Sequence, residues 1–353
     1  MKNSHEVYPL KIGLVFGGAS AEHEVSIASA KNLRRALEEG NNRERYEVKS
    51  LYIDKGGYCW PSAIGERVMK QETTPSLSDF SGIPNHSGFR GFPDGTKDIN
   101  VWFPALHGPN GEDGTIQGLF TLMRKRFIGA NVLGSAVSMD KQAMKASFSS
   151  AKLPQVPYSC VSVSELHSEP IMLLSRLEEQ VGYPCFVKPA NLGSSLGISK
   201  CSNRDELIRG LKLASEYDNR LVVEQAKQIR EIECAVIGKE KLRASILGEI
   251  HFSSDWYDYE TKYRDGNSSM IIPAPLPKFI TETARQLALE ACRAVGVSSI
   301  ARIDFFYSEE HETIWINEIN TLPGFTNYSM YPTLWKRSGL SIQDLVHMLI
   351  ELT

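Results

Sequence analysis

The stretch "SIARIDFFYSEEHETIWINEIN", residues 299–320, decides the fold of the last third of the chain. Two segments of alternating apolar residues flank the polar group SEEHE, and this pattern predicts a β-hairpin. Side chains alternate between the two faces of a strand, so one face of the first strand carries Ile300, Arg302, Asp304 and Phe306. In the second, Ile314, Ile316, Glu318 and Asn320 share one face, and Trp315, Asn317 and Ile319 share the other.

The hairpin predicts a site with three oxygen donors. Asp304, Glu318 and Asn320 would offer carboxylate and amide oxygens, which are ligands for Mg²⁺ bound with nucleotide phosphates. Arg302 would add a fixed positive charge for developing negative charge. The alternative is a surface hairpin with an ordinary salt bridge.

Composition narrows the class of protein. The chain has 353 residues, of which 42% are hydrophobic and 23% charged, as in a globular protein of two or three domains. A net charge of −3 does not indicate binding to nucleic acid, and no apolar segment is long enough to span a membrane. Six scattered cysteines without a CxxC pair indicate free thiols. We therefore expect a cytoplasmic protein.

The N-terminal region reads as strand, loop and helix. "KIGLVF" predicts a strand and "GGASAEHEVS" a glycine-rich turn before a helix, as in a parallel sheet whose ligands lie at the strands' carboxyl ends. The turn lacks GxGxxG spacing, which argues against a dinucleotide site. Glu22 is either a helix-capping acid or a group for a substrate ammonium. His107, in "HGPNGEDG", is either a loop residue or a substrate contact.

The middle of the chain carries candidate phosphate ligands. Lys188 ends the apolar strand "YPCFVKP", and Lys141 starts a helix that Asp140 caps. Each lysine is either a phosphate clamp or a residue with a solvated end. "NLGSSLGISK" is either a phosphate-binding loop or a surface turn, and its sequence excludes a P-loop.

Three lobes are predicted, namely residues 1–130 (N-terminal α/β), 131–227 (central) and 228–353 (C-terminal). The polar loop 253–269 is long for a connection and is expected to be a lid. The sequence does not predict the layout of residues 56–98.

The motifs, taken in order, resemble those of the D-alanine–D-alanine ligase family of the ATP-grasp superfamily. They are "GGASAEHEVS", "HGPNGEDGTIQG", "SMDK", "FVKP", "GSSLG", "DYETKY", "ARIDF" and "NEINTLPGFTNYSMYP". The family commonly has Val where Leu196 stands. The resemblance implies the α/β ATP-grasp fold, in which central and C-terminal lobes clamp ATP.

The resemblance also implies roles for individual residues. Asp304, Glu318 and Asn320 correspond to ligands of two Mg²⁺ ions, for which Mn²⁺ can substitute. Arg302 and the Gly324 N–H correspond to groups that stabilise a tetrahedral oxyanion. The residues that correspond to the family's ATP-binding residues are Lys141, Lys188, Lys262, Glu224, Gln225, Ala226 and Glu231. The residues around the two D-alanine molecules correspond to Glu22, Ser194, Tyr263, His107, Ser329 and Met330.

The implied activity is ATP-dependent ligation of two D-alanine molecules through a D-alanyl phosphate, for peptidoglycan precursors. Two alternatives stay open, namely a ligase that takes D-lactate or D-serine second, and a non-catalytic nucleotide-binding relative. The resemblance further implies a homodimer.

Overall fold

The computed structural model describes residues 9–71, 88–193, 196–252 and 268–353. The chain forms two compact units, Met1–Gly129 with Leu322–Thr353, and Ala130–Thr321. The second segment of the first unit lies with the N-terminal sheet, although the sequence interpretation placed it in the C-terminal lobe. The division into three lobes itself stays a prediction.

The first unit is built on a parallel sheet, as predicted. Its strand order is β2 (Tyr46–Ile53), β1 (Leu10–Gly17), β3 (Val101–Pro104) and β4 (Arg126–Phe127). The helices of this unit are α1 (His23–Glu38), α2 (Asn42–Arg45), α3 (Ser62–Lys70), α4 (Thr115–Leu122) and, from the end of the chain, α11 (Met330–Arg337) and α12 (Ile342–Glu351). The apolar stripe of α1 is buried, because its residues recur at helical spacing.

A four-stranded antiparallel sheet forms one part of the second unit. Its order is β5 (Tyr158–Ser162), β8 (Arg220–Gln225), β6 (Cys185–Pro189) and β7 (Ser199–Cys201). The helices in this part of the chain are α5 (Val132–Met139), α6 (Lys141–Ser150), α7 (Val163–Ser168), α8 (Pro170–Gln180) and α9 (Arg204–Ser215). Asp140 caps α6 as predicted, since its Oδ1 accepts a hydrogen bond from the Ala143 N–H at 2.8 Å.

A five-stranded antiparallel sheet forms the rest of the second unit. Its order is β11 (Ser268–Ile271), β10 (Arg243–Phe252), β9 (Arg230–Gly238), β12 (Ser299–Ser308) and β13 (Thr313–Asn320). Helix α10 (Lys278–Ala294) packs on it. The core lies between the helix and one sheet face, with Ile303 on β12 and Ala288 on α10 among its members. The predicted hairpin is confirmed as β12 and β13.

The predicted faces of β13 are wrong beyond Ile316. In the strand register Asp304 pairs with Glu318, whereas the next residue, Phe305, pairs with Ile316, so Asn317 is the extra residue of a β-bulge. A bulge places two residues opposite one and reverses the side-chain alternation. Ile319 therefore lies in the core with Ile316. Glu318 and Asn320 lie on the opposite, polar face.

The first strand of the hairpin follows its predicted alternation. Ile303, Phe305 and Tyr307 are buried in the core, and Arg302 and Asp304 occupy the other face. No helix within the described residues is long and apolar enough to cross a membrane.

Candidate active site

Arg302 lies at the centre of the polar face of the large sheet. Its Nε and Nη2 donate to Asp304 Oδ1 and Oδ2, each at 2.7 Å, and Nε lies 2.9 Å from Glu233 Oε2. Burial opposes the charge of the guanidinium, but the two carboxylates raise its pKa well above the ordinary value. The site therefore contains a permanent, rigidly held positive charge.

The bulge brings the three predicted oxygen donors together on this face. Asp304 and Glu318 are cross-strand neighbours, as are Arg302 and Asn320. The Asn320 Nδ2 donates to Asp304 Oδ2 at 3.0 Å. No group of three His, Cys, Asp or Glu side chains in the described ranges is arranged to hold a metal. The donors are two carboxylates and an amide, a set that fits a hard cation sharing its coordination with substrate oxygens.

Lys141 connects this face to the glycine-rich segment after β6. Its Nζ lies 3.8 Å from Glu318 Oε2 and donates to the Leu192 carbonyl at 2.8 Å. Its backbone N–H donates to the Ala190 carbonyl at 2.9 Å. The first turn of α6 thereby places an ammonium beside the Glu318 carboxylate.

Glu224, on β8, is a buried carboxylate with two lysine partners. Its Oε1 lies 3.0 Å from Lys145 Nζ, and its Oε2 accepts from Lys188 Nζ at 2.7 Å. Burial alone would raise the pKa of Glu224, but the two ammonium groups lower it to about 2. Burial lowers the pKa of Lys145, whereas the attraction of Glu224 outweighs burial for Lys188 and raises its pKa.

Lys188 also links the two sheets of the second unit. Its Nζ lies 5.9 Å from the centre of the Phe306 ring, and Phe306 is the register partner of Glu231 on β9. Nearby, Gln225 Nε2 donates to the Val181 carbonyl at 3.1 Å, and the Ala226 N–H donates to the Pro184 carbonyl at 2.9 Å. Lysines of α6 and β6 and carboxylates from both sheets therefore belong to one cluster.

Two charged residues of the candidate site, Lys145 and Glu233, were not predicted from the sequence. Lys145 lies four residues after Lys141 on α6, which is the spacing of one helical face. Glu233 follows Glu231 by two, which is the spacing of one strand face. Both signals were present in the sequence, but each competes with the simpler interpretation of a solvent-exposed charge.

In the first unit, Glu22 and His107 lie at the carboxyl ends of the parallel strands. Glu22 immediately precedes α1, and a Cβ added to Gly108 would lie 3.1 Å from Glu22 Oε2. Glycine at position 108, with φ of +70°, therefore permits this close approach. The His107 Nδ1 lies 3.0 Å from the Leu322 carbonyl, and its Nε2 lies 3.2 Å from Ser29 Oγ.

The turn after β13 carries the other predicted residues of the first unit. A Cβ on Gly324 would lie 2.7 Å from Ser329 Oγ, so only glycine fits without displacing that hydroxyl. The Ser329 Oγ accepts from the Thr326 N–H at 2.9 Å, and Met330 starts α11 as a buried residue. The remaining predicted site residues, Ser194, Lys262 and Tyr263, and nearly all of loop 253–269 lie outside the described residues.

Two family models cover most of the chain. The model described as "D-ala D-ala ligase N-terminus" matches residues 11–130, and the one described as "D-ala D-ala ligase C-terminus" matches residues 148–351.

Relatives match over nearly full length. The D-alanine–D-alanine ligase of Parasynechococcus marenigrum (strain WH8102) is 56% identical over 345 residues, covering 97% of this chain and 98% of the relative. The enzyme of the same name from Synechococcus sp. (strain RCC307) is 57% identical over 341 residues, covering 97% of each.

Two solved structures are similar to this chain. The D-alanine–D-alanine ligase from Coxiella burnetii has a TM-score of 0.82 at 32% identity, covering 98% of this chain and 94% of the other. The VanG D-Ala:D-Ser ligase from Enterococcus faecalis has a TM-score of 0.80 at 30% identity, covering 98% and 99%.

Proposed function

This chain belongs to the D-alanine–D-alanine ligase family and has its ATP-grasp fold, and we propose that it joins two D-alanine molecules with ATP. The product, D-alanyl-D-alanine, serves peptidoglycan precursor synthesis. The single observation that carries this proposal is the polar face around Arg302, which combines a permanent cation with the oxygen donors Asp304, Glu318 and Asn320.

The reaction has two steps. A carboxylate oxygen of the first D-alanine attacks the γ-phosphorus of ATP, ADP leaves, and an acyl phosphate forms. The amine of the second D-alanine then attacks the acyl carbon to give a tetrahedral oxyanion. Collapse of this intermediate expels inorganic phosphate, and the amine gives up its proton to solvent. Both steps concentrate negative charge, which fixed cations and N–H donors stabilise.

Arg302 and the Gly324 N–H are assigned to the oxyanion. Arg302 cannot lose its proton at working pH, and its pairs with Asp304 and Glu233 fix the guanidinium in place. The close packing of Gly324 on Ser329 supports a role for the backbone N–H, because glycine permits a close approach there.

ATP is assigned to the lysine and carboxylate cluster of the second unit. Lys141, Lys188 and Lys262 are assigned to phosphates, and the other four residues to adenine and ribose, namely Glu224, Gln225, Ala226 and Glu231. Because Glu224 remains ionised, its oxygens act only as acceptors, which suits an amino group of a base. The two lysines that fix Glu224 leave it a defined orientation.

Asp304, Glu318 and Asn320 are assigned to two Mg²⁺ ions, with Mn²⁺ as a substitute. When bound, the ions neutralise the phosphate oxygens during transfer. Within the chain, Lys141 and Arg302 already balance the carboxylates, so the donors are held in position before nucleotide arrives.

Four residues of the first unit are assigned to D-alanine, namely Glu22, His107, Ser329 and Met330. Glu22 would pair with the ammonium of the first molecule, with Ser194 and Tyr263 as hydrogen-bonding partners. Ser329 and Met330, at the start of α11, would meet the carboxylate of the second molecule, with His107 nearby. The close approach of Gly108 supports an enclosed position for the Glu22 carboxylate.

ADP release tests the proposal when combined with product analysis. Purified protein, ATP and Mg²⁺ should release ADP with D-alanine in proportion to D-alanyl-D-alanine, and L-alanine should give no product. No release with any amino or hydroxy acid tried would support the non-catalytic alternative instead.

A second candidate is ligation of D-alanine to D-serine or D-lactate. The similarity to the VanG D-Ala:D-Ser ligase favours D-serine among these. Equal concentrations of D-alanine, D-serine and D-lactate in one reaction, resolved by mass spectrometry, decide between them, and we expect mostly D-alanyl-D-alanine.

Three further assignments accompany this function. We propose a homodimer, on family resemblance, and a cytoplasmic location, where ATP is available and the six free cysteines stay reduced. We also propose that the predicted lobe 131–227, and residues 228–321 of the predicted lobe 228–353, correspond to the two sheets that share the ATP cluster within the second unit.

A further inference from the structure

We propose that Ser29 is a positioning residue that acts with His107 to hold the turn Leu322–Phe325, and so to fix the backbone N–H of Gly324. The inference rests on the proposed function for the role of that N–H. The hydrogen-bonded clamp itself stands on the geometry of the first unit alone.

The clamp has two ends on one short turn. At the first end, His107 Nδ1 lies 3.0 Å from the Leu322 carbonyl. At the second, the Phe325 N–H donates to Ser29 Oγ at 3.0 Å. The two side chains are joined, because Ser29 Oγ lies 3.2 Å from His107 Nε2. Gly324 lies between the two held residues.

The direction of each hydrogen bond follows from the partners. A carbonyl only accepts, so His107 carries its proton on Nδ1 and offers a lone pair on Nε2. Ser29 already accepts from the Phe325 N–H, and its own hydroxyl proton can go to that lone pair. The result is a directed chain in which each of these donors meets an acceptor, and which requires a proton on His107 Nδ1.

The surroundings of Ser29 leave its hydroxyl little freedom. Ser29 and His107 are both buried, at 0% and 6% exposure. One helical turn further along α1, Asn32 Nδ2 donates to the Phe325 carbonyl at 2.9 Å. Helix α1 therefore holds Phe325 through both its N–H and its carbonyl. A buried hydrogen bond that is lost leaves an unpaired polar group, so the turn should shift when the hydroxyl is removed.

Ser29 is thus expected to influence the reaction without touching substrate. The backbone N–H of Gly324 is useful to an oxyanion only within a narrow distance range, and small displacements at a reacting centre are costly. Removing the Ser29 hydroxyl should lower kcat and leave the KM for ATP nearly unchanged, because the ATP cluster belongs to the second unit.

Nitrogen NMR and hydrogen exchange test the clamp directly. With ¹⁵N-labelled histidine, the His107 ring, assigned by loss of its signals in His107→Gln, should show a protonated Nδ1 and an unprotonated Nε2. In Ser29→Ala the Nε2 resonance should move, and the amides of residues 322–327 should exchange faster. A ring without a proton on Nδ1 in the unsubstituted protein, or unchanged exchange in Ser29→Ala, would overturn the clamp.

Kinetics test the positioning role. Ser29→Ala should lower kcat about tenfold or more with a change in the KM for ATP below about twofold. Ser29→Thr keeps the hydroxyl and should recover most of the lost rate. An unchanged kcat in a folded Ser29→Ala protein would refute the role.

Ser26→Ala is the matched control. Ser26 lies one turn earlier on α1, is equally buried, and also makes two hydrogen bonds, accepting from the Gly17 N–H at 2.7 Å and donating to the Ala105 carbonyl at 2.5 Å. It should lower the melting temperature about as much as Ser29→Ala, but reduce kcat less. Equal losses of kcat in both variants would mean that Ser29 acts through stability alone. If the unsubstituted protein does not ligate D-alanine, the proposed function fails, and the NMR and exchange results still decide the clamp.

Discussion

Glu318 depends on its charge for its assigned role at the metal ions. Its neighbours on the polar face are Asp304 across the sheet and Lys141 at 3.8 Å, so an amide in its place would keep the shape but lose the negative charge. Glu318→Gln should fold normally and lose turnover by about 100-fold or more, because the metal ions would be held less tightly at the phosphates.

The measurement is steady-state ADP release, with circular dichroism to check folding. Glu310→Gln is the control, since Glu310 is exposed in the turn of the same hairpin. Glu310→Gln should turn over as fast as the unsubstituted protein, and EDTA should stop the reaction of both these proteins. Unimpaired turnover by a folded Glu318→Gln protein would contradict the assignment of Glu318 as a metal ligand.

Glu224 should give the protein an acid-sensitive contribution to stability. Its pKa is about 2 in the folded protein, against 4.5 for an ordinary glutamate side chain in water, so the folded state favours the carboxylate. The stabilisation is complete above about pH 4.5 and is lost as the pH falls towards 2. Between about pH 6 and about pH 3.5 this amounts to roughly 1 kcal/mol.

Urea unfolding of Glu224→Gln at these two pH values checks the sign. The variant leaves Lys145 and Lys188 without their carboxylate, so it should be about 3 kcal/mol less stable near neutral pH. The deficit should shrink at the lower pH. Glu240→Gln, at an exposed position between β9 and β10, should have the same free energy of unfolding as the unsubstituted protein at both pH values. A deficit that grows on acidification would contradict the ion-pair account.

The bulge at Asn317 is the feature of β13 that regular strand alternation does not predict. Strict period two predicted both strands and a shared face for Arg302 and Asp304, but it put Glu318 and Asn320 on the same face as Ile314 and Ile316. The signal was present in "INEI", where Ile316 and Ile319 are three residues apart and cannot share a face of a regular strand. Burial of both isoleucines overrides the regular alternation.

Deletion of Asn317 tests what the bulge does. The shortened strand would alternate regularly and keep Ile316 and Ile319 in the core, so the free energy of unfolding should change by less than about 1 kcal/mol. Turnover should nevertheless fall about tenfold or more, because the bulge determines how the side chains of Glu318 and Asn320 are oriented relative to Asp304.

Deletion of Glu310 in the hairpin turn is the control for shortening the hairpin, and it should cost little activity. Thermal unfolding and ADP release of both deletions give the comparison. A folded Asn317 deletion with full activity would show that the bulge does not orient these side chains. An unfolded deletion would instead contradict the predicted small change in stability.

The parallel sheet, the hairpin of β12 and β13 and the family resemblance were predictable from the sequence, and the association of residues 322–353 with the first unit was not. That association depends on contacts between residues distant in sequence, such as Asn42 Nδ2 donating to the Gln343 carbonyl at 2.8 Å and Tyr46 OH lying 2.5 Å from His347 Nδ1. Such contacts leave no local periodicity. The Ser29 and His107 clamp is of the same kind, since its residues lie 78 positions apart.

Oxygen labelling tests whether the protein joins two D-alanine molecules through an acyl phosphate. D-Alanine labelled with ¹⁸O in its carboxylate is incubated with ATP and the protein, and the phosphate and dipeptide are analysed by mass spectrometry. Ligation through an acyl phosphate transfers a single labelled oxygen to inorganic phosphate for each D-alanyl-D-alanine formed, because the carboxylate oxygen that attacked the γ-phosphorus leaves with it. Unlabelled phosphate, or ADP release without dipeptide, would contradict the account.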